Sequence, residues 1–556
     1  MELKKVRVKN FKSIKDIEFE FPSSGILVLV GENNSGKSNI IRAIDAISGE
    51  GWYGKEKLED HDFYLRNREN QIDVTLTFSN NRVVRFKPTS TDWGVKYYSN
   101  LSQTATMQFG SSIKEDFPCT YLGADRTFDK HLAFYDWTLI GRIRKAFHRR
   151  ITPALNGTIQ GQFEELIQHF DDVPGFAQFK NDFTEYFAQL LPLTATKIGI
   201  TFKPYTPANL FKSMQILALD QDQENSPIDV DELGEGARNI ILISLLRSYA
   251  KNLKSHGEQI SGILALEEPE LFLHPQARRH LSNVLRDLAS EGIQVIISTH
   301  SDSFIDTEYF DSIGRVIKID DSENEGRKCS ALVTCSKQKL VNHCLDTGVP
   351  AAKSNINNIN EFYRTTSNPR LNEGFFARLL ILVEGETEEI CIPEYLKAIG
   401  IDCDAIGISV ISVQGKNQIP KYWRLYSQFQ IPIIVMFDND NTQDKATSNQ
   451  HLATCFGIQS NELLENVNLA KVVNTPNQCK LIVIETDFES AIKRQVTPDV
   501  YNEFEDEAKS VIRPINNQQK GVVSRFIAYK LLENNPDFVP KSIELLRALI
   551  VQELRL

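Results

Sequence analysis

Gly31-Glu32-Asn33-Asn34-Ser35-Gly36-Lys37-Ser38 constrains this chain more than any other stretch of it. The segment matches G-x-x-x-x-G-K-[ST]. In such a loop, glycines let backbone N–H groups curl around phosphate, a lysine reaches the β- and γ-phosphates, and a hydroxyl serves Mg²⁺. The loop works between a buried strand and a helix whose N-terminus faces the anion. Both flanks are present: Gly25 to Val30 is a short apolar run, and Ile40, Ile41, Ala43, Ile44 and Ile47 recur at helical spacing. An α/β fold is expected, with ATP and Mg²⁺ held by Gly31, Glu32, Asn33, Asn34, Ser35, Gly36, Lys37 and Ser38.

Two later apolar runs end in groups that suit the same nucleotide. Ile263 to Leu266 leads into Glu267-Glu268-Pro269-Glu270. Carboxylates at a strand end beside a P-loop can hold the Mg²⁺ shell and polarise the attacking water. Glu267 is read as the shell ligand and Glu268 as the catalytic base. Val295 to Ile297 leads into Ser298-Thr299-His300, and His300 suits a sensor of the γ-phosphate. Alone, an acidic turn or a single histidine reads as structural; the P-loop shifts both towards function.

The C-terminal third repeats the device. Leu379 to Val383 ends in Glu384-Gly385-Glu386-Thr387-Glu388-Glu389, Ile408 to Val413 in Gln414-Gly415-Lys416, and Ile433 to Phe437 in Asp438-Asn439-Asp440. In a parallel sheet the strand exits converge on one rim, and hard oxygen ligands gathered there suit Mg²⁺ or Mn²⁺. D-x-D alone says little, since it also occurs at Asp60/Asp62, Asp220/Asp222, Asp229/Asp231 and Asp402/Asp404. The preceding apolar strand and the upstream Glu384 single out Asp438 and Asp440. Another apolar run, Ile482 to Ile484, precedes Glu485, Asp487 and Glu489, and Lys520-Gly521 stands before a helical stretch.

These motifs carry a resemblance. GENNSGKS, ILALEEPELFLHP and VIISTHS resemble the Walker A, Walker B and switch histidine of ABC-type ATPases, in the branch containing the SMC, RecF and OLD-like proteins. VEGETE followed by the glycine turn and Asp438-Asn439-Asp440 resembles a Toprim domain. The two in one chain are similar to the OLD-family nucleases, among them the nuclease subunit of Gabija-type systems. The fold implied is an ABC-type P-loop ATPase with a helical insertion, followed by a Toprim domain with a Rossmann-like parallel sheet.

The resemblance also implies roles. Glu384, Asp438 and Asp440 become catalytic metal ligands, with Glu388, Asp487 and Glu489 completing a two-metal site. Lys520 becomes the cation that stabilises the transition state. Paired ATPase heads complete each other's site with a signature segment, here Leu233-Gly234-Glu235-Gly236-Ala237-Arg238. It departs from LSGGQ, with Gly234 for serine and Ala237 for glutamine, but keeps Gly236 as a phosphate contact. The implied partners are DNA, a second copy or higher homo-oligomer, and a UvrD-like helicase in a setting of bacterial or phage defence.

The expected divisions are 1–126 and 196–335 for the ATPase, 127–195 for a helical dimerisation insert, 336–374 for a polar linker, and 375–556 for the Toprim domain. Arg142, Lys145 and Arg149 share one helical face of the insert, read as a solvated face or a phosphate track. A net charge of −11 argues against a general nucleic-acid coat but not against a local basic groove. Eight scattered cysteines without a C-x-x-C suit reduced thiols in the cytoplasm. No apolar run approaches the ~20 residues that span a bilayer, so no membrane is expected. Two alternatives stay open: a nuclease acting on RNA such as tRNA, and a non-catalytic DNA-binding ATPase scaffold. A topoisomerase would need a tyrosine nucleophile from another domain, and no heptad repeat supports SMC-type arms.

Overall fold

The computed structural model describes residues 1–49, 58–88, 97–99, 116–123, 217–219, 227–229, 233–255, 261–271, 273–366, 369–439, 446–512 and 520–555, with isolated positions between 143 and 185. The insertion expected over 127–195 falls almost wholly outside them, as do Arg142, Lys145, Arg149 and Asp440.

Alternation builds the outer part of the first sheet. In β1 (Leu3–Phe11) and β2 (Ile14–Glu20) the apolar Val6, Val8, Ile17 and Phe19 are buried while the intervening charges face outwards. The two pair antiparallel, Val6 opposite Phe19 and Val8 opposite Ile17. β3 (Ile26–Val30) is buried at every position, so it reads as an unbroken apolar run. It feeds the P-loop and then α1 (Lys37–Ser48), whose Ile40, Ile41, Ile44 and Ile47 lie in the core beneath the sheet. β4 (Asp73–Phe78), β5 (Val83–Phe86) and β6 (Tyr97–Ser99) continue the antiparallel wing. β7 (Cys119–Leu122) lies at the far edge, and β8 (Leu217–Leu219) with β9 (Pro227–Asp229) forms a separate hairpin. After α2 (Glu235–Ser255) come β10 (Ile263–Glu267), α3 (Pro275–Ser290) and β11 (Gln294–Ser298), then β12 (Ile313–Asp320) and β13 (Lys328–Thr334).

The resulting order is β6-β5-β4-β1-β2-β13-β12-β3-β11-β10-β7. Its inner part, β12-β3-β11-β10-β7, is parallel. The P-loop, the Glu267–Glu268 pair and the Thr299–His300 pair therefore leave the sheet along one rim.

Residues 336–374 are not an extended connector. They contain α4 (Lys337–Asp346) and α5 (Ile356–Thr366). Leu340, Val341, Cys344, Ile359 and Tyr363 sink into the apolar cluster that also holds Val28, Leu266 and Val435. Asn355, Asn357 and Asn358, which suggested a linker, are exposed, where polarity does not oppose a helix.

A second sheet follows: β14 (Leu379–Val383), β15 (Ile408–Ser412), β16 (Ile433–Asp438), β17 (Ala470–Asn474) and β18 (Lys480–Ile484), in the order β15-β14-β16-β18-β17. All neighbours are parallel except the edge strand β17. Its helices include α6 (Glu386–Ala398), α7 (Ile419–Ser427), α8 (Ala446–Phe456), α9 (Phe488–Lys493), α10 (Lys520–Asn534) and α11 (Lys541–Leu554).

One side chain ties the two sheets together. Arg315, buried on β12, donates to the carbonyls of Ala377 at 2.9 Å, Phe429 at 3.2 Å and Gln430 at 2.8 Å. Ala377 precedes β14 and Gln430 precedes β16, so the guanidinium holds the entrances of both strands whose exits carry Glu384 and Asp438. Burial lowers its pKa to about 10, opposed by Glu32. A second, exposed link joins Glu32 in the P-loop to Arg378 at 3.1 Å.

All eight cysteines are buried thiols. Among the described residues no helix is long and apolar enough to cross a membrane.

Candidate functional site

The first site is built around the P-loop. Gly31 and Gly36 have φ of 143° and 111°, conformations that a side chain resists. Space forbids one as well. A Cβ on Gly31 would lie 2.2 Å from the Val316 carbonyl oxygen, and one on Gly36 would lie 2.3 Å from Ser330 Oγ. β12 and β13 thus press directly on the loop. Ser330 Oγ lies 2.7 Å from Ser13 Oγ and donates to the Ser35 carbonyl at 2.5 Å, and Asn39 donates to Ser13 at 2.7 Å.

Lys37 is folded into this cradle. Its ammonium donates to the carbonyls of Gly31 at 2.9 Å and Glu32 at 3.0 Å, and lies 3.0 Å from His300 Nε2. Burial pulls its pKa down to about 8, while Glu268, Glu270 and Glu267 pull it up. Burial and then Lys37 keep His300 below its ordinary value. Lysine, histidine and the three carboxylates are therefore one electrostatic unit.

Glu268 sits in the left-handed region, φ 46°, with its N–H bonded to the Ser298 carbonyl at 2.7 Å. Backbone strain of this kind costs of order 1–3 kcal/mol and tends to collect at functional sites. Glu267 is buried, and its Oε1 takes no hydrogen bond; Ser35 Oγ is likewise buried and unbonded. Such orphaned oxygens beside a phosphate cradle fit a hydrated cation. Glu270, not assigned from the sequence, accepts from Thr299 Oγ1 at 2.9 Å and from the His300 N–H at 2.7 Å. It holds the turn that aims His300, and only the tertiary contact between two strand exits reveals this. Gly236 is buried at the start of α2, and Gly234 opens that helix by accepting from Ala237 and Arg238. Neither is joined to the P-loop by a hydrogen bond.

The second site lies where β14, β16 and β18 leave their sheet. Glu384 follows β14, Asp438 ends β16, and Glu485, Asp487 and Glu489 follow β18. Glu388 is buried and accepts from the Gly385 N–H at 3.1 Å, capping α6. Its pKa is pushed up to about 7, first by burial and then by the charges of Glu489 and Glu384. Glu489 accepts from Thr387 Oγ1 at 3.1 Å and pairs with Lys520 at 3.1 Å. Burial lowers the Lys520 pKa, but Glu489, Asp487 and Asp438 outweigh it and leave it raised.

Glu384, Glu388, Asp438, Asp487, Glu489 and Lys520 thus meet at one rim. Asp487 has a local task within it: both its oxygens accept from Ser490, at 2.8 Å each, capping α9. Thr387 joins the site unassigned from the sequence. Among the described residues no three acidic, cysteine or histidine side chains are drawn together tightly enough to grip one ion. The donor set nevertheless fits a hard cation, because the Glu489 and Glu384 charges that help raise the Glu388 pKa are relieved by a divalent charge. Lys520 is exposed, and one lysine cannot neutralise them all.

The comparisons with known proteins fall along the same division. Residues 1–117 and 145–305 match the AAA ATPase domain, and residues 375–440 match the TOPRIM domain of proteins like the overcoming lysogenization defect protein. The OLD nuclease of Thermus scotoductus is 24% identical over 469 residues, covering 79% of this chain and 82% of the relative. The Old nuclease of Escherichia phage P2 is 24% identical over 489 residues, covering 79% and 77%. Among solved structures, the C-terminal region of the Burkholderia pseudomallei OLD protein is 22% identical, covering 32% of this chain and 99% of that one at a TM-score of 0.24.

Proposed function

We propose that this chain, which belongs to the OLD-like family of ATPases joined to a TOPRIM domain, is an ATP-regulated, divalent-metal-dependent nuclease that cleaves DNA. The observation that carries the reading is the convergence of Glu384, Asp438, Glu489 and Lys520 on one sheet rim, around a Glu388 whose pKa is pushed up to about 7 by burial first and then by Glu489 and Glu384. Glu384, Asp438 and Glu489, with Asp440 beside them in sequence, would hold Mg²⁺ or Mn²⁺. Glu388 and Asp487 would orient that set while capping their helices. The metal, when bound, supplies an activated water and neutralises the phosphodiester. Lys520 would stabilise charge on the scissile phosphate.

In the ATPase domain, Gly31 to Ser38 would hold ATP, with Lys37 released from the Gly31 and Glu32 carbonyls to the phosphates. Glu267 would stand in the Mg²⁺ shell, Glu268 would orient water, and His300 would read the γ-phosphate. Gly236 would serve the nucleotide of a second copy in a homodimer. The Arg315 clamp supports regulation rather than a separate activity, because it joins the strand beneath the P-loop to both acid-bearing strands.

The test is incubation of the purified chain with supercoiled plasmid and, separately, with total RNA, under chelator-controlled Mg²⁺ or Mn²⁺, with and without ATP. Metal-dependent nicking of plasmid is expected. RNA cut in preference would turn the reading to the tRNA-type alternative, and no cleavage of either would leave the scaffold. A helicase partner and a role against foreign DNA belong to the same reading; co-purification and phage plating efficiency check them.

A further inference from the structure

Lys416 is a charged side chain that the site described above does not use, yet it is only 4% exposed. Burying an ammonium costs several kcal/mol unless the chain gains something for it. Its surroundings show where the gain lies. β15 lies beside β14, Ser412 opposite Val383. Where β15 ends, the chain turns back sharply: Gln414 has φ 58° and Gly415 φ 125°. That turn is bonded to the catalytic strand. The Val413 N–H donates to the Val383 carbonyl at 3.1 Å, and the Gly415 N–H donates to the Glu384 carbonyl at 2.8 Å.

From the same turn Lys416 reaches the other way. Its ammonium lies 5.9 Å from the centre of the Phe437 ring and donates to Asn449 Oδ1 at 3.3 Å. Asn449, itself 2% exposed on α8, donates from Nδ2 to the Asn439 carbonyl at 2.8 Å. Asn439 stands between Asp438 and Asp440, and its N–H is bonded to the Ile484 carbonyl at 2.7 Å, at the exit of β18. One path of hydrogen bonds and chain thus runs from Glu384 through the β15 turn, Lys416 and Asn449 to Asn439 beside Asp438, and on to the strand that precedes Asp487 and Glu489.

We propose that Lys416 is a positioning residue of the nuclease site: through Asn449 it fixes the Asn439 backbone, and with it the spacing between Glu384 and Asp438. The inference rests on the nuclease reading for its purpose but not for its geometry. Outer residues that orient metal ligands typically change metal affinity 10- to 100-fold when removed. A lysine that merely filled space could become methionine without moving it.

Mn²⁺ binding to the full chain, measured calorimetrically without nucleic acid, tests this in wild type, Lys416→Met, Asn449→Leu and the double variant. Each single change should weaken Mn²⁺ binding roughly 10- to 100-fold. The double variant should be no worse than the weaker single one, because both cut the same path. Amide exchange at Asn439 should quicken in all three, while ATP binding stays as in wild type. Unchanged Mn²⁺ affinity in Lys416→Met, or effects that multiply in the double variant, would overturn the proposal. Should Lys416→Met fail to fold, Asn449→Asp decides: it keeps an oxygen for Lys416 but loses the donor to Asn439. It too should weaken Mn²⁺, and wild-type affinity there would refute the path. Wild type that binds Mn²⁺ yet cuts nothing would fail the nuclease reading alone. Wild type that cuts plasmid while Lys416→Met binds Mn²⁺ normally would fail this inference alone.

Discussion

In the ATPase domain, β10 and β11 end in Glu267–Glu268 and Thr299–His300 around a loop of backbone N–H groups and a buried lysine. In the TOPRIM domain, β14 and β16 end in Glu384 and Asp438 among further acids, with the exposed Lys520 paired to Glu489. Both places use buried parallel strands that deliver polar groups to a rim. The first sets a cradle of backbone N–H groups against three carboxylates and holds its cation, Lys37, in reserve on the loop's own carbonyls. The second gathers acids around Glu388, whose pKa burial first and then the charges of Glu489 and Glu384 push up to about 7. One is prepared for an anion and the other for a cation. The same strand-exit device therefore says little about chemistry until the sign of the missing charge is known.

The largest expected effect breaks the comparison at its acidic end. Asp438→Ala should lower metal-dependent cleavage by roughly 10³-fold, the scale on which removing a charge-stabilising group acts, with ATP binding unchanged by filter binding. Next, Arg315→Ala leaves three buried carbonyls without a donor. It should destabilise the chain by about 2–4 kcal/mol, read as a lowered melting temperature. An unshifted transition would mean that the clamp contributes nothing to holding the two sheets together. Lys37→Ala should weaken ATP binding by about 10- to 100-fold, the worth of charged hydrogen bonds of about 1.5–3 kcal/mol, and spare metal binding at the other site.

A smaller effect follows pH. Folded, metal-free protein holds a proton on Glu388 up to about pH 7 that an unfolded chain loses near 4.5. The native state binds more protons between those values, so this carboxyl's contribution to stability falls as pH rises from about 4.5 through about 7. Melting temperatures with chelator should show that decline, Mn²⁺ should oppose it, and Glu388→Gln should flatten it. The smallest effect belongs to Arg378→Ala. Its exposed pair with Glu32 should contribute less than about 1 kcal/mol to stability, so a large change in ATP-dependent cleavage there would point to signalling rather than adhesion.

What was legible in the sequence was local. The P-loop, the apolar runs that became β3, β10, β14 and β16, and the acids at their ends are contiguous patterns, and periodicity reads them directly. Asp487 and Glu388 were found as acids near a site, but their capping of α9 and α6 depends on backbone geometry that spacing alone underdetermines. Glu270, Thr387 and Lys416 were passed over because their partners lie 30, 102 and 33 residues away in the chain. Arg315 reads as an ordinary strand charge until the second sheet closes on it. In α5, Ile356, Ile359 and Tyr363 recur at helical spacing, yet the asparagines between them suggested a linker. Polar composition outweighed periodicity there, and the periodicity was the better guide.

On this reading the chain separates sensing from cutting. The most direct measurement is plasmid nicking by wild type, Asp438→Ala and Lys37→Ala in one Mn²⁺ titration, with and without ATP. Asp438→Ala should nick roughly 10³-fold less than wild type at every metal concentration. Nicking by Lys37→Ala should match nucleotide-free wild type and no longer respond to ATP. Near-wild-type nicking by Asp438→Ala, or its loss in Lys37→Ala without ATP, would contradict that separation.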